Sequence, residues 1–72
     1  MKQYFIVDKA TRHMVGNTIY GSLKMADMDI EKMEGGFKNY EVYAFDVTQA
    51  TKSLIEYALL NENPCVYKQR TR

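Results

Sequence analysis

Two short stretches of this 72-residue chain have apolar or aromatic side chains at consecutive positions, and they constrain the fold more than any other feature. They lie within Gln3–Val7 and within Tyr40–Phe45, and in both of them neighbouring residues that would face opposite sides of a strand are apolar. A stretch with apolar side chains on both of its alternating faces suits a central strand of a sheet better than an edge strand. We therefore predict a central strand over Gln3–Val7, and we expect residues 37–47, which include Tyr40–Phe45, to form the longest strand.

Two further segments have strand character. Met14–Tyr20 follows the first strand after a short polar turn, which predicts an N-terminal hairpin in which Gly16 weakens the second strand or marks a bulge. Cys65–Gln69 predicts a last strand at the edge of the sheet, where a basic end discourages pairing with other sheets.

Two amphipathic helices are predicted between these strands. Ser22 is a plausible N-cap, and apolar residues recur after it at helical spacing up to Gly35-Gly36, which ends the helix. Thr48 is predicted to cap the second helix, which ends near Asn61. The predicted inward residues are Leu23, Ala26, Ile30 and Met33 in the first helix, and Leu54, Ile55, Ala58, Leu59 and Asn61 in the second.

The resulting order, ββαβαβ, predicts one α+β domain over residues 1–72. We expect a two-layer sandwich in which both helices cover one face of a four-stranded, mainly antiparallel sheet. The other face would then present aromatic and aliphatic side chains to water. Such a face is either tolerated because it is small, or it binds something.

The inventory of reactive side chains argues against an enzyme. The chain has one cysteine, Cys65, and one histidine, His13. They are predicted on different elements, so we interpret them as a small buried hydrophobe and a loop imidazole rather than a catalytic pair. A zinc site needs more such ligands, and the acidic run Asp27–Glu31 lacks the glycine and glutamate of a calcium loop. We therefore expect no catalytic residue, no metal and no cofactor.

The cysteine count and the hydropathy pattern indicate where the chain works. A single cysteine makes no internal disulfide, which favours the cytoplasm. The N-terminus lacks the pattern of a secretion signal, and no apolar stretch is long enough to predict a membrane span. A domain this small buries a limited core, so self-association stays open as a source of stability.

Charge is distributed unevenly along the chain, although the net charge is only +1. Residues 1–24 hold four basic and one acidic residue, residues 25–47 two basic and six acidic, and residues 48–72 four basic and two acidic. The middle segment is therefore acidic and the ends are basic. An acidic helix beside an aromatic sheet is a reasonable surface for a basic or amphipathic protein.

Our first functional hypothesis is a small non-enzymatic interaction protein that binds and modulates or inhibits a protein partner. In its small size and its lack of catalytic or cofactor-binding motifs, the chain is similar to the small host-takeover and anti-defence proteins of bacteriophages, which include anti-CRISPR proteins. This likeness implies an inhibitory role. The predicted partner contacts are Asp27, Asp29, Glu31 and Glu34 on the first helix, with Tyr40 and Tyr43 on the third strand.

The alternative hypothesis is a module that binds RNA or single-stranded nucleic acid. Residues 38–45 resemble the RNP1 octamer of RNA-recognition motifs, in which sheet aromatics stack on bases, and Lys38, Tyr40 and Phe45 match it in type. Asn39 and Val42 depart from that pattern, and so does the order of the elements. The basic residues of this hypothesis are Lys2, Lys38, Lys68, Arg70 and Arg72.

Overall fold

The computed structural model describes residues 2–46 and 50–69. Its elements, in chain order, are β1 (Lys2–Asp8), α1 (Leu23–Glu31), a 3-10 helix (Gly36–Lys38), β2 (Tyr40–Asp46), α2 (Lys52–Leu60) and β3 (Val66–Lys68). The three strands form one sheet of order β1-β2-β3, and β2 is antiparallel to both neighbours. The α+β class, the antiparallel sheet and the two helices are thus confirmed. The prediction of four strands in the order ββαβαβ is wrong.

The strand predicted over residues 14–20 is replaced by an irregular segment that touches β1 at only two points. Isolated bridges join Met14 to Val7 and Tyr20 to Tyr4. Met14 and Tyr20 are six residues apart, whereas their partners on β1 are only three residues apart. The extra residues of the segment must therefore bulge away from the sheet. Gly16 lies in the bulge with φ of +65°, a conformation that glycine adopts at little cost. Of the two predicted roles of Gly16, marking a bulge agrees with the structure, but the bulge replaces the regular strand predicted over residues 14–20.

The two helices lie on opposite sides of the sheet. Ile6 and Val42 are buried together with Ala26 and Ile30 of α1. Phe5, which precedes Ile6 on β1, is buried instead with Ile55 of α2. Successive side chains of a strand point to opposite faces, so the sheet separates two cores and the fold has three layers. The predicted two-layer sandwich with both helices on one face is wrong, and the apolar residues on both faces of β1 and β2 are explained by burial on both faces.

The N-caps of the helices are both hydroxyl side chains. Ser22 Oγ accepts a hydrogen bond from the backbone N–H of Met25 at 3.3 Å, as predicted. Thr51 Oγ1 accepts one from the N–H of Leu54 at 3.2 Å, so α2 is capped by Thr51. Thr48, the predicted cap, lies outside the described residues.

The end of α2 is a Schellman motif with a glutamate at its left-handed position. The backbone N–H of Glu62 donates to the carbonyl of Leu59, and that of Asn63 donates to the carbonyl of Ala58. Glu62 has φ of +52°, where glycine is the usual residue. A side chain at this position costs stability of about 1 kcal/mol compared with glycine.

Candidate protein-binding surfaces

The predicted acidic contacts on α1 are not equally available to a partner. Glu31 and Glu34 are exposed, whereas Asp27 and Asp29 are half-buried. The Tyr20 hydroxyl donates a hydrogen bond of 2.6 Å to Oδ2 of Asp29, so this carboxylate already links α1 to the segment beside β1. Burial and this hydrogen bond raise the pKa of Tyr20 to about 12.

The predicted aromatic contacts, Tyr40 and Tyr43, are half-buried on opposite sides of the sheet. Tyr40 packs against the α1 core. Tyr43 packs against the α2 core, where its ring stacks on Phe5 with 5.9 Å between centroids. The two tyrosines are three residues apart on one strand, and an odd spacing reverses the face. The structure therefore does not bring Tyr43 to the same surface as the acidic residues of α1.

The outward side of α1 carries two exposed methionines beside these acidic residues. The side chains of Met25 and Met28 are 57% and 48% exposed. Lys24 and Glu31 of the same helix are also exposed, and so is its C-cap residue Lys32. Unbranched, polarisable methionine side chains adapt to partners of different shape, and the surrounding charges can orient a partner.

The outward side of α2 carries a second apolar surface, which the sequence reasoning missed. This surface, the α2 stripe, consists of Leu54, Tyr57 and Leu60, whose side chains are 41%, 67% and 83% exposed. Residues three apart on a helix are neighbours, so the three form one continuous ridge. Leu54 was predicted to face the core, which is wrong. The three-residue spacing in the sequence indicates that Leu54, Tyr57 and Leu60 lie close together on the helix, but it does not indicate that they are exposed.

A cavity of about 410 Å³ adjoins the C-terminal end of the α2 stripe. Nδ1 of His13 lies 3.3 Å from Oε2 of Glu56 at its rim. Arg12, with φ of +66°, and Glu62 also line it. Its full lining is Thr11, Arg12, His13, Glu56, Leu59, Leu60 and Glu62. The cavity thus combines two leucines with two acidic and two potentially basic side chains. Cys65, predicted to be buried, is exposed.

The described basic residues of the nucleic-acid hypothesis, Lys2, Lys38 and Lys68, lie apart from one another rather than in one cluster. Lys2 Nζ lies 5.6 Å from the ring centroid of Tyr67, and a hydrogen bond with that tyrosine raises the pKa of Lys2. Lys68 Nζ lies 3.4 Å from Oε1 of Glu41, in a salt bridge. Lys38 is the last residue of the 3-10 helix, at the other end of β1, about 20 Å from Lys2 along the strand. Arg70 and Arg72 lie outside the described residues.

No helix in the described parts of the chain is long and apolar enough to cross a membrane. Comparison of the sequence with protein-family models, with curated proteins and with solved structures finds no match in any of the three.

Proposed function

We propose that this chain is a small, non-enzymatic interaction protein that binds a protein partner through the outward side of α1. The observation that carries the proposal is the exposure of Met25 and Met28 on a helix whose inner side is fully used by the core. Large apolar side chains that a small core does not need are typical of contact surfaces. The proposal includes an inhibitory or modulating effect on the partner, of the kind exerted by small bacteriophage host-takeover and anti-defence proteins.

The charges around these methionines favour a partner with a basic or amphipathic surface. Between Leu23 and Glu34 the chain has four acidic and two basic residues, and the acidic Glu31 and Glu34 are exposed. Opposite charges on a partner would speed the encounter, while the methionines would supply the buried area. We expect the partner to contact Met25, Met28 and Glu31, because these side chains of α1 are exposed and combine apolar area with negative charge.

Capture of a partner by variants of α1 tests this proposal. Tagged wild-type protein, the double variant Met25→Ser/Met28→Ser and the matched control Met25→Leu/Met28→Leu are incubated with nuclease-treated lysate, and bound protein is quantified by mass spectrometry. We expect a stoichiometric protein partner on the wild type and on the leucine control, and at least about a tenfold loss on the serine variant. Circular dichroism confirms that all three variants are folded.

Two results would contradict the proposal. Equal capture by the serine variant would show that α1 is not the contact surface. Bound nucleic acid, lost with nuclease and weakened steeply by salt, would instead support the alternative hypothesis. In that case Lys2→Ala, Lys38→Ala and Lys68→Ala should flatten the dependence of affinity on salt.

A further inference from the structure

The four methionines in the described parts of the chain differ widely in their access to solvent. The side chains of Met25 and Met28 are 57% and 48% exposed on the outward side of α1. Met33 is half-buried and packs against the core that contains α1. Met14 is only 6% exposed, in the core that contains α2. A small reagent in solution therefore reaches the sulfur atoms of Met25 and Met28 directly, whereas it reaches that of Met14 only when the surrounding structure opens.

The reagent that acts most readily on an exposed thioether is a peroxide, and hydrogen peroxide is the simplest one. The sulfur atom gives an electron pair to one peroxide oxygen, so a sulfur–oxygen bond forms and the oxygen–oxygen bond breaks. The second oxygen leaves with both protons as water. The product is methionine sulfoxide, which is polar and accepts hydrogen bonds, whereas the original side chain is flexible and apolar.

The position of Met25 and Met28 allows this change without damage to the fold. The inner side of α1 is formed by Ala26 and Ile30, which are fully buried. Met25 and Met28 are three residues apart, so they are neighbours on the exposed side of the same helix. A sulfoxide at either position replaces apolar surface with polar surface and leaves both cores intact. The same change at Met14 would place a polar group inside a core.

We propose that Met25 and Met28 form a peroxide-sensitive modification site, at which reversible oxidation converts the apolar part of the outward α1 surface into a polar one without unfolding the protein. The reverse step uses two thiols, which join in a disulfide while the sulfoxide oxygen leaves as water. The consequence for binding rests on the proposed function, because a partner that buries these two side chains is lost on oxidation and regained on reduction.

Trypsin separates the exposed methionines from the buried one, which makes the selectivity measurable. Cleavage after lysine and arginine places Met14 in residues 13–24 and places Met25 and Met28 in residues 25–32. The folded full chain is treated with hydrogen peroxide for increasing times, digested and analysed by mass spectrometry. We expect the peptide 25–32 to gain oxygen at least about tenfold faster than the peptide 13–24. Concentrated guanidinium chloride during the treatment should remove this difference, because it unfolds the chain.

Two measurements on the oxidised, undigested chain test its fold and its surface. The circular dichroism spectrum should remain that of the folded protein. Retention on a hydrophobic-interaction column should decrease, because the exposed apolar area is smaller, and the two stereospecific methionine sulfoxide reductases should restore it. Peroxide should not change the retention of the matched variant Met25→Leu/Met28→Leu. This variant keeps the exposed Cys65, so it also controls for oxidation of the thiol.

Capture from lysate tests the consequence for binding. Only the tagged chain is oxidised, and the peroxide is removed before the lysate is added. We expect the oxidised wild type to lose at least about tenfold of the captured partner and to regain it after treatment with the reductases. Peroxide treatment of Met25→Leu/Met28→Leu should leave capture unchanged.

The outcomes that would overturn the inference are separate from those that would overturn the proposed function. Equal oxidation of the peptides 13–24 and 25–32 in the folded chain, loss of the folded spectrum, or an unchanged retention would each contradict the modification site. Unchanged capture by the oxidised chain, with loss of capture by Met25→Ser/Met28→Ser, would contradict the effect of oxidation on binding. Equal capture by the wild type and this serine variant would reject the proposed function, while the peptide masses and the retention still decide on the modification site.

Discussion

The hydroxyl of Tyr20 donates a 2.6 Å hydrogen bond to Asp29, and this contact holds the irregular segment beside β1 against the last turn of α1. Tyr20 is also bonded through its backbone to Tyr4, in both directions. Asp29 lies in the last turn of α1, so Tyr20 joins the edge of the sheet to the C-terminal end of the helix that covers one of its faces. The contact helps to hold residues 14–20 in place, because this segment lacks regular strand pairing with β1.

Removal of the Tyr20 hydroxyl should measure the contribution of this contact. We expect Tyr20→Phe to lower the free energy of unfolding by about 1–2 kcal/mol, because it breaks a hydrogen bond to a half-buried carboxylate. The control Tyr57→Phe, at an exposed position, should have no effect beyond about 0.5 kcal/mol. Urea denaturation checks both, and equal effects of the two substitutions would contradict the prediction.

The same tyrosine should make stability depend on alkaline pH. Its pKa is about 12 in the folded chain and about 10 when unfolded, so the folded chain holds the proton more tightly. This contribution is complete below pH 10 and is lost as the pH rises to 12. It is on the order of 2–3 kcal/mol. We expect the stability advantage of wild type over Tyr20→Phe to shrink and then change sign over this interval, because this loss exceeds the contribution of the hydrogen bond. A constant difference would contradict the assignment.

Because the helices lie on opposite sides of the sheet, mild substitutions in the two cores should act independently. Ile30→Val and Ile55→Val should each cost about 1 kcal/mol, since both side chains are fully buried. We expect the double variant to equal their sum within about 0.5 kcal/mol. A larger coupling, measured by denaturation of all four proteins, would indicate one shared core instead of two.

The left-handed residue at the end of α2 offers a stabilising substitution. Glu62→Gly should raise the free energy of unfolding by about 1 kcal/mol, because glycine adopts positive φ without a steric penalty. Glu62→Ala keeps the Cβ atom and should give no such gain. Both are measured at low protein concentration, where self-association does not contribute. A gain for alanine equal to that for glycine would show that the side-chain charge matters more than the backbone.

Loss of the hydroxyl that caps α2 should destabilise the protein. Thr51→Ala removes the acceptor for the N–H of Leu54 and should cost about 1 kcal/mol. Thr51→Ser retains the oxygen and should recover most of the loss. Thermal unfolding of the three proteins checks the prediction, which fails if serine is no better than alanine.

The sequence predicted the local elements well and their arrangement less well. Hydrophobic spacing located both helices and the strands that became β1, β2 and β3, because periodicity reflects which side of an element is buried. The same pattern showed that β1 and β2 are apolar on both faces. This pattern alone does not distinguish an exposed face that binds a partner from a face covered by a second helix, because propensity and spacing do not determine which helix covers which face. The position of Ile55 against Phe5 supplies that information.

The candidate surfaces were less predictable, for a geometric reason. The acidic residues of α1 are close in sequence, but a helix turns by about 100° per residue and separates the half-buried Asp29 from the exposed Glu31. In α2, Leu54 fits the inward pattern nearly as well as Ala58 does. Whether it is buried depends on the tilt of the helix over the sheet. Spacing alone does not determine that tilt.

The central position of β2 in the sheet also determines how the protein unfolds. It is hydrogen-bonded to a strand on each side and contributes Val42 to one core and Phe45 to the other. Neither helix can detach with its own part of the sheet, because both depend on this strand. Amide hydrogens of β2 should therefore exchange with solvent only when the whole chain unfolds, while those around Gly16 exchange through local fluctuations. The three-layered protein therefore unfolds as a single cooperative unit, and the segment around Gly16 is the part that opens locally.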